Sequence, residues 1–166
     1  MKVIDLLDSL CQRLSGALLA LGGLFLVGMI ALACANMFMR GALNAPIRGT
    51  YEMMGFLGAL VCALALAPTQ LRGGHIALTM LQGMLPRRVE RLVDAFAHLA
   101  CGLFFLLAAW RVGVFGCSLI EFGELSEDLH IVYHPFVFAV ALGCATLALT
   151  LLRDLLRALA GERRRP

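Results

Sequence analysis

Residues 48–86, RGTYEMMGFLGALVCALALAPTQLRGGHIALTMLQGMLP, decide the fold. Glu52 stands at the head of 19 residues, Met53 to Leu71, that carry no charge. As a helix rising 1.5 Å per residue this run covers about 28 Å, close to the hydrocarbon thickness of a bilayer. Residues 51–71 therefore read as a membrane-spanning helix with a polar entry. Past Arg72-Gly73-Gly74-His75 the pattern changes. Ile76, Met80, Leu81, Met84 and Leu85 share one side, away from His75, Thr79 and Gln82. The segment 74–86 is too short to cross a membrane and reads as an amphipathic helix lying in the interface.

The flanking sequence extends this pattern. Residues 14–39 form an uncharged first span whose strongly polar member is Asn36, and Arg40 follows it on the same helical face. Residues 1–13 alternate apolar and charged positions at helical spacing and read as a further interfacial helix. Later apolar stretches give spans at 92–115 and 131–152, and 153–166 reads as a basic tail. The chain of 166 residues is 61% hydrophobic and 15% charged, a balance no soluble domain of this size can bury. The expected fold is a single all-α integral membrane domain of four transmembrane helices with interfacial arm helices. Of the 14 Lys and Arg, eleven fall in the terminal segments and the link between the second and third spans. The positive-inside rule then places both termini in the cytoplasm.

Few residues invite chemistry. The six cysteines lack CxxC or ligand-like spacing and read as small packing residues. His130 and His134 have the i, i+4 spacing of helical metal or haem sites, but no carboxylate or cysteine stands in register with them. An interfacial histidine pair at a helix start is the plainer reading. No catalytic constellation, metal site, cofactor site or nucleic-acid signature is present, so the chain does not read as an enzyme. Gly55, Ala59, Ala63 and Ala67 recur every four residues and form a ridge against which another helix can pack closely. Glu52 reads either as a headgroup-level carboxylate or as a partner of Arg40 or Arg48 that braces the first two helices. The loop with Glu121, Glu124, Glu127 and Asp128 holds four acids and no base. It reads either as a solvated loop or as a contact for another protein.

Asn36-x-x-x-Arg40, Tyr51-Glu52, Arg72-Gly-Gly-His75-Ile76 running to Leu85-Pro86, and Leu129-x-Ile131 occur in an order that resembles a known family. It is the small integral-membrane (DctQ-type) subunit of TRAP, tripartite ATP-independent periplasmic, transporters. The chain departs from the family pattern at Leu78-Thr79 and at Val132-Tyr133-His134-Pro135. The resemblance implies a bacterial inner-membrane protein without a cofactor, embedded in phospholipid beside two protein partners. One is a large membrane subunit that moves an organic acid, often a dicarboxylate, by an elevator motion coupled to an ion. The other is a periplasmic binding protein that delivers the substrate. On this reading Asn36, Arg40, Glu52, the small-residue ridge, Arg72 and His75 serve subunit docking and structure, and the acidic loop receives the binding protein. Two rival readings are a self-sufficient homodimeric transporter with Glu52 as coupling carboxylate, and a b-type haem carrier using His98 with His130 or His134.

Overall fold

The computed structural model describes residues 2–71 and 87–160. They form α1 (Lys2–Leu43), α2 (Thr50–Leu71), α3 (Arg87–Phe122) and α4 (His134–Ala160). Each contains a stretch long and apolar enough to cross a membrane: Asp8–Leu43, Thr50–Leu71, Leu92–Phe122 and His134–Arg157. Among the described residues the only β pairing is an isolated bridge between Leu125 and Val132. The all-helical, four-span architecture expected from the apolar runs is present. The expected interfacial helix 74–86, with Arg72 and His75, lies outside the described residues.

Helix ends differ from the edges of the apolar runs. No break separates residues 2–13 from the first span, since α1 is continuous from Lys2 to Leu43. The helix α3 extends at both ends beyond 92–115, into the arginine-rich start and the loop toward Phe122. The helix α4 begins at His134 rather than 131, with Pro135 in its first turn. Proline suits that turn because its missing N–H is one that a helix start leaves unbonded anyway. Inside α2, Pro68 does not end the helix, which continues to Leu71.

Among the described residues α4 packs against α1, α2 and α3, α1 also packs against α2, and α3 packs against α4 alone. The core lies where α2 meets α4: Ala67, Leu147 and Leu151 are buried, with Leu66 and Phe105 packed on them. The two backbones come very close. A Cβ on Gly143 would lie 2.5 Å from the Ala63 carbonyl oxygen, so only glycine allows this crossing. The small-residue ridge is thereby divided. Ala63 and Ala67 are buried toward α4, whereas Gly55 and Ala59 remain exposed. In lipid, close contact of this kind is a main source of helix association. Long apolar faces of α1 and α3 stay uncovered, including Leu24, Met37, Phe38, Phe96, Phe104 and Trp110.

Candidate functional site: polar clusters at the two ends of the bundle

Two polar clusters cap this apolar body. At the loop end, where α1 joins α2 and α3 joins α4, Asn36 Oδ1 accepts a hydrogen bond from the Ile47 amide at 3.0 Å. The Ile47 carbonyl accepts in turn from Thr50 Oγ1 at 2.7 Å. Asn36 thus ties the connecting loop back onto the helix that precedes it. Gly49 adopts φ 71°, and a Cβ there would fall 2.3 Å from Leu129 Cγ. Both the left-handed backbone and the seated leucine demand glycine at this turn.

Glu52 reaches across to the α3–α4 loop. Its Oε1 accepts from the Glu127 amide at 3.1 Å, and its Oε2 from the amides of Asp128 at 3.3 Å and Leu129 at 3.2 Å. Among the described residues no ion pair joins Glu52 to Arg40 or Arg48, both of which are exposed. The bracing partner is therefore backbone rather than arginine. Three N–H groups converging on one carboxylate fix the loop through charge-assisted bonds.

The rest of the loop supports that grip. Buried Ser126 donates its amide to Ile131 O at 3.0 Å and accepts from the Ile131 amide on Oγ at 3.4 Å. Tyr133 donates its hydroxyl to Glu124 Oε2 at 3.0 Å. Phe56 of α2 stacks with Tyr133 and Phe136, ring centroids 5.7 and 5.3 Å away. Burial pushes the Tyr133 phenol above its ordinary value, and the hydrogen bond to Glu124 and that carboxylate's charge push the same way. Glu121, Glu124, Glu127 and Asp128 all stand exposed on this end.

The histidine pair does not form a helical site. His130 has φ 51° in the loop, while His134 opens α4 and meets Phe138 edge-on. Among the described residues no group of three or more His, Cys, Asp and Glu could hold a metal ion. His98 is far from both histidines. Its Nε2 lies 3.9 Å from Asp154 Oδ2, at the opposite end of α4 from His134. Twenty residues separate Asp154 from His134, about 30 Å of helix, so His98 cannot share a haem with His134.

At the other end, where α1 begins and α4 closes, lies a cluster that the residue pattern did not reveal. Arg153 Nε and Arg157 Nη2 of α4 both donate to the carboxylate of Asp8 in α1. Arg153 Nη1 also reaches Asp154 Oδ1 at 3.3 Å, and Gln70 Nε2 of α2 donates to Asp154 Oδ2 at 2.9 Å. With His98 of α3 beside Asp154, one network touches all four helices. Arg153 and Asp154 are buried. The basic tail read from 153 thus begins differently, because its first two arginines belong to α4 and are spent on internal pairs. The available signal was weak: Asp8, Gln70 and Asp154 are polar residues at the margins of apolar runs. Nothing local says that they meet.

Residues 29–161 match the family described as Tripartite ATP-independent periplasmic transporters, DctQ component. The chain belongs to the DctQ family. DctQ is a transporter-component family rather than an enzyme family, so this chain is the small membrane component of a TRAP transporter. Comparison with curated proteins and with solved structures gives no match. The matched region of this DctQ subunit contains the whole loop-end cluster together with Gln70, His98, Arg153 and Asp154. Asp8 precedes it.

Proposed function

We propose that this DctQ subunit braces the large, elevator-type membrane subunit of its transporter during ion-coupled uptake of an organic acid delivered by a periplasmic binding protein. What carries the reading is the distribution of polar groups. Those of the two clusters sit at the ends of the bundle and are bonded largely within the chain. Inside the spans Thr146 and Thr150 bond the carbonyls of Leu142 and Leu147 in their own helix. A transport path needs polar groups facing a cavity in the membrane, whereas a brace needs a rigid body with apolar outer faces.

On this reading the exposed half of the small-residue ridge, Gly55 and Ala59, meets the partner together with Arg40, and Ala63 and Ala67 hold α4. Asn36 and Glu52 act indirectly, by setting the shape of the loop end. The acidic loop with Glu121, Glu124, Glu127 and Asp128 faces the binding protein. Membership of the DctQ family supports a bacterial inner-membrane location, and the Lys/Arg distribution supports cytoplasmic placement of both termini.

The test is a mild-detergent pull-down of the tagged chain from its native membrane, with mass spectrometry of the proteins retained. A large multispan partner should co-purify, and Glu52→Gln should lower its recovery several-fold while leaving substrate choice unchanged. A homodimer retaining no such partner would overturn the scaffold reading. Full recovery with altered ion coupling would do so as well, and would make Glu52 a coupling carboxylate.

A further inference from the structure

Between Asp94 and Glu121, α3 carries a single Asp, Glu, Lys or Arg, which is Arg111. Its depth follows from how α3 lies along α4. A Cβ on Gly102 would stand 3.6 Å from Leu151 Cβ, and one on Gly116 would stand 3.0 Å from the Phe138 ring. The two helices therefore run antiparallel in nearly even register. Arg111, five residues before Gly116, is level with Gly143, five residues after Phe138. At Gly143 the chain of α4 crosses α2 at Ala63. Ala63 lies ten residues past Met53 in the uncharged run Met53–Leu71, about 15 Å into its ~28 Å. Arg111 thus sits at the middle of the apolar layer.

It also faces outward. Arg111 is exposed, as are Phe104, Leu107 and Phe115, seven and four residues before it and four after, on the same face. Among the described residues no carboxylate pairs with its guanidinium, which lies 6.0 Å from the ring of the adjacent Trp110. Snorkelling does not relieve it. The level of Glu121 is ten residues off, about 15 Å, and a helical side chain leans toward its helix N-terminus, here away from that end. An arginine at such depth pairs with an acid or borders water, and the apolar side chains around this one leave no wet path. A second copy of this chain cannot answer the charge, because residues 9–51, 53–89, 95–120 and 129–153 contain no Asp or Glu. The counter-charge must come from a different membrane protein.

We propose that Arg111 forms an ion pair inside the membrane with an Asp or Glu on a transmembrane helix of the large subunit, laid along the outer face of α3. That face is free for it, since α3 packs within the chain against α4 alone. Phe104, Leu107 and Phe115 supply the apolar contact around the pair, and the pair fixes the depth at which the two helices meet. The proposal rests on the brace reading and adds to it a residue and the chemistry of its partner.

The test uses the full tagged chain in its native membrane, with p-benzoylphenylalanine in place of Phe104 or Phe115. Illumination should join both positions to the large subunit, in a peptide that carries an Asp or Glu within an apolar run. Arg111→Leu should cut recovery of the large subunit in a mild-detergent pull-down about tenfold, since it leaves that acid unpaired. The isolated Arg111→Leu subunit should melt at the same temperature as the unmodified one or higher, because it loses only an unpaired charge. Arg111→Glu combined with Arg in place of the crosslinked acid should restore recovery. Adducts confined to lipid or to a second copy would overturn the proposal, as would a crosslinked segment without an acid. A lower melting temperature of the isolated variant would overturn it too, by making Arg111 a support within this chain. Retention of the large subunit by the unmodified chain and equally by Arg111→Leu strikes the ion pair alone. If the unmodified chain retains no large subunit, the brace reading falls and this pair with it.

Discussion

Glu52 shows how a single carboxylate can organise the end of a membrane bundle. Among the described residues it meets no cation; it collects three amides from a loop 75 to 77 residues away. Tyr133 closes the same loop by donating to Glu124, and its phenol is held above the ordinary value. A group raised in the folded state contributes stability that is fully present below its unfolded value, about 10 for tyrosine, and lost as pH rises through the folded one. The loop-end bond is therefore intact at neutral pH. In a Tyr51→Phe background the tyrosinate absorbance of the protein should develop above the pH expected for a free phenol. Glu124→Gln should move that midpoint down without abolishing the shift, because burial is the largest cause. A midpoint at or below the free-phenol value would contradict the observed contact.

At the scale of elements, α4 is the hub and its last turns hold the beginning of α1. Asp8 accepts from both Arg153 and Arg157, with less than a third of any of the three side chains exposed. Removing one partner from such a pair leaves uncompensated charge at a cost of about 3–5 kcal/mol when fully buried, and toward the lower end here. Asp8→Asn should accordingly speed amide exchange in the opening turns of α1 and leave residues 124–133 protected. Exchange at the start of α1 equal to that of the unmodified protein would show that the network does not hold that helix. The division of the small-residue ridge belongs to this scale too. Four similar residues at a regular spacing promise one packing surface, but the crossing at Gly143 uses only the end nearer Ala67.

For the whole molecule, the charge asymmetry between the ends predicts an orientation with both termini in the cytoplasm. Arg40, Arg48 and Arg111 are the only bases assigned to the loop end, against five of the eleven acids. A Glu124→Cys substitution, made after replacing the six native cysteines, should react with a membrane-impermeant maleimide in cells whose outer membrane has been permeabilised. Reaction only after the inner membrane is broken would reverse the topology and remove the acidic loop as a receiver of the binding protein.

The sequence by itself determined the number of spans, their approximate limits, the asymmetry of charge and Glu52 as the unusual residue. These properties are local or additive: apolar length must match bilayer thickness, and a carboxylate at the head of an uncharged run is visible in one dimension. Even the loop-end cluster was half legible, since Asn36, Glu52 and the acidic residues stood out without their partners. The tertiary structure alone decided that Glu52 grips backbone and that Asp8 reaches arginines 145 and 149 residues later. It alone assigned Ala63 and Ala67 to α4 and Gly55 and Ala59 to the outside. The physical reason is that helical periodicity marks which side of a helix is polar or small. Which neighbour covers that side depends on the order in which the helices pack.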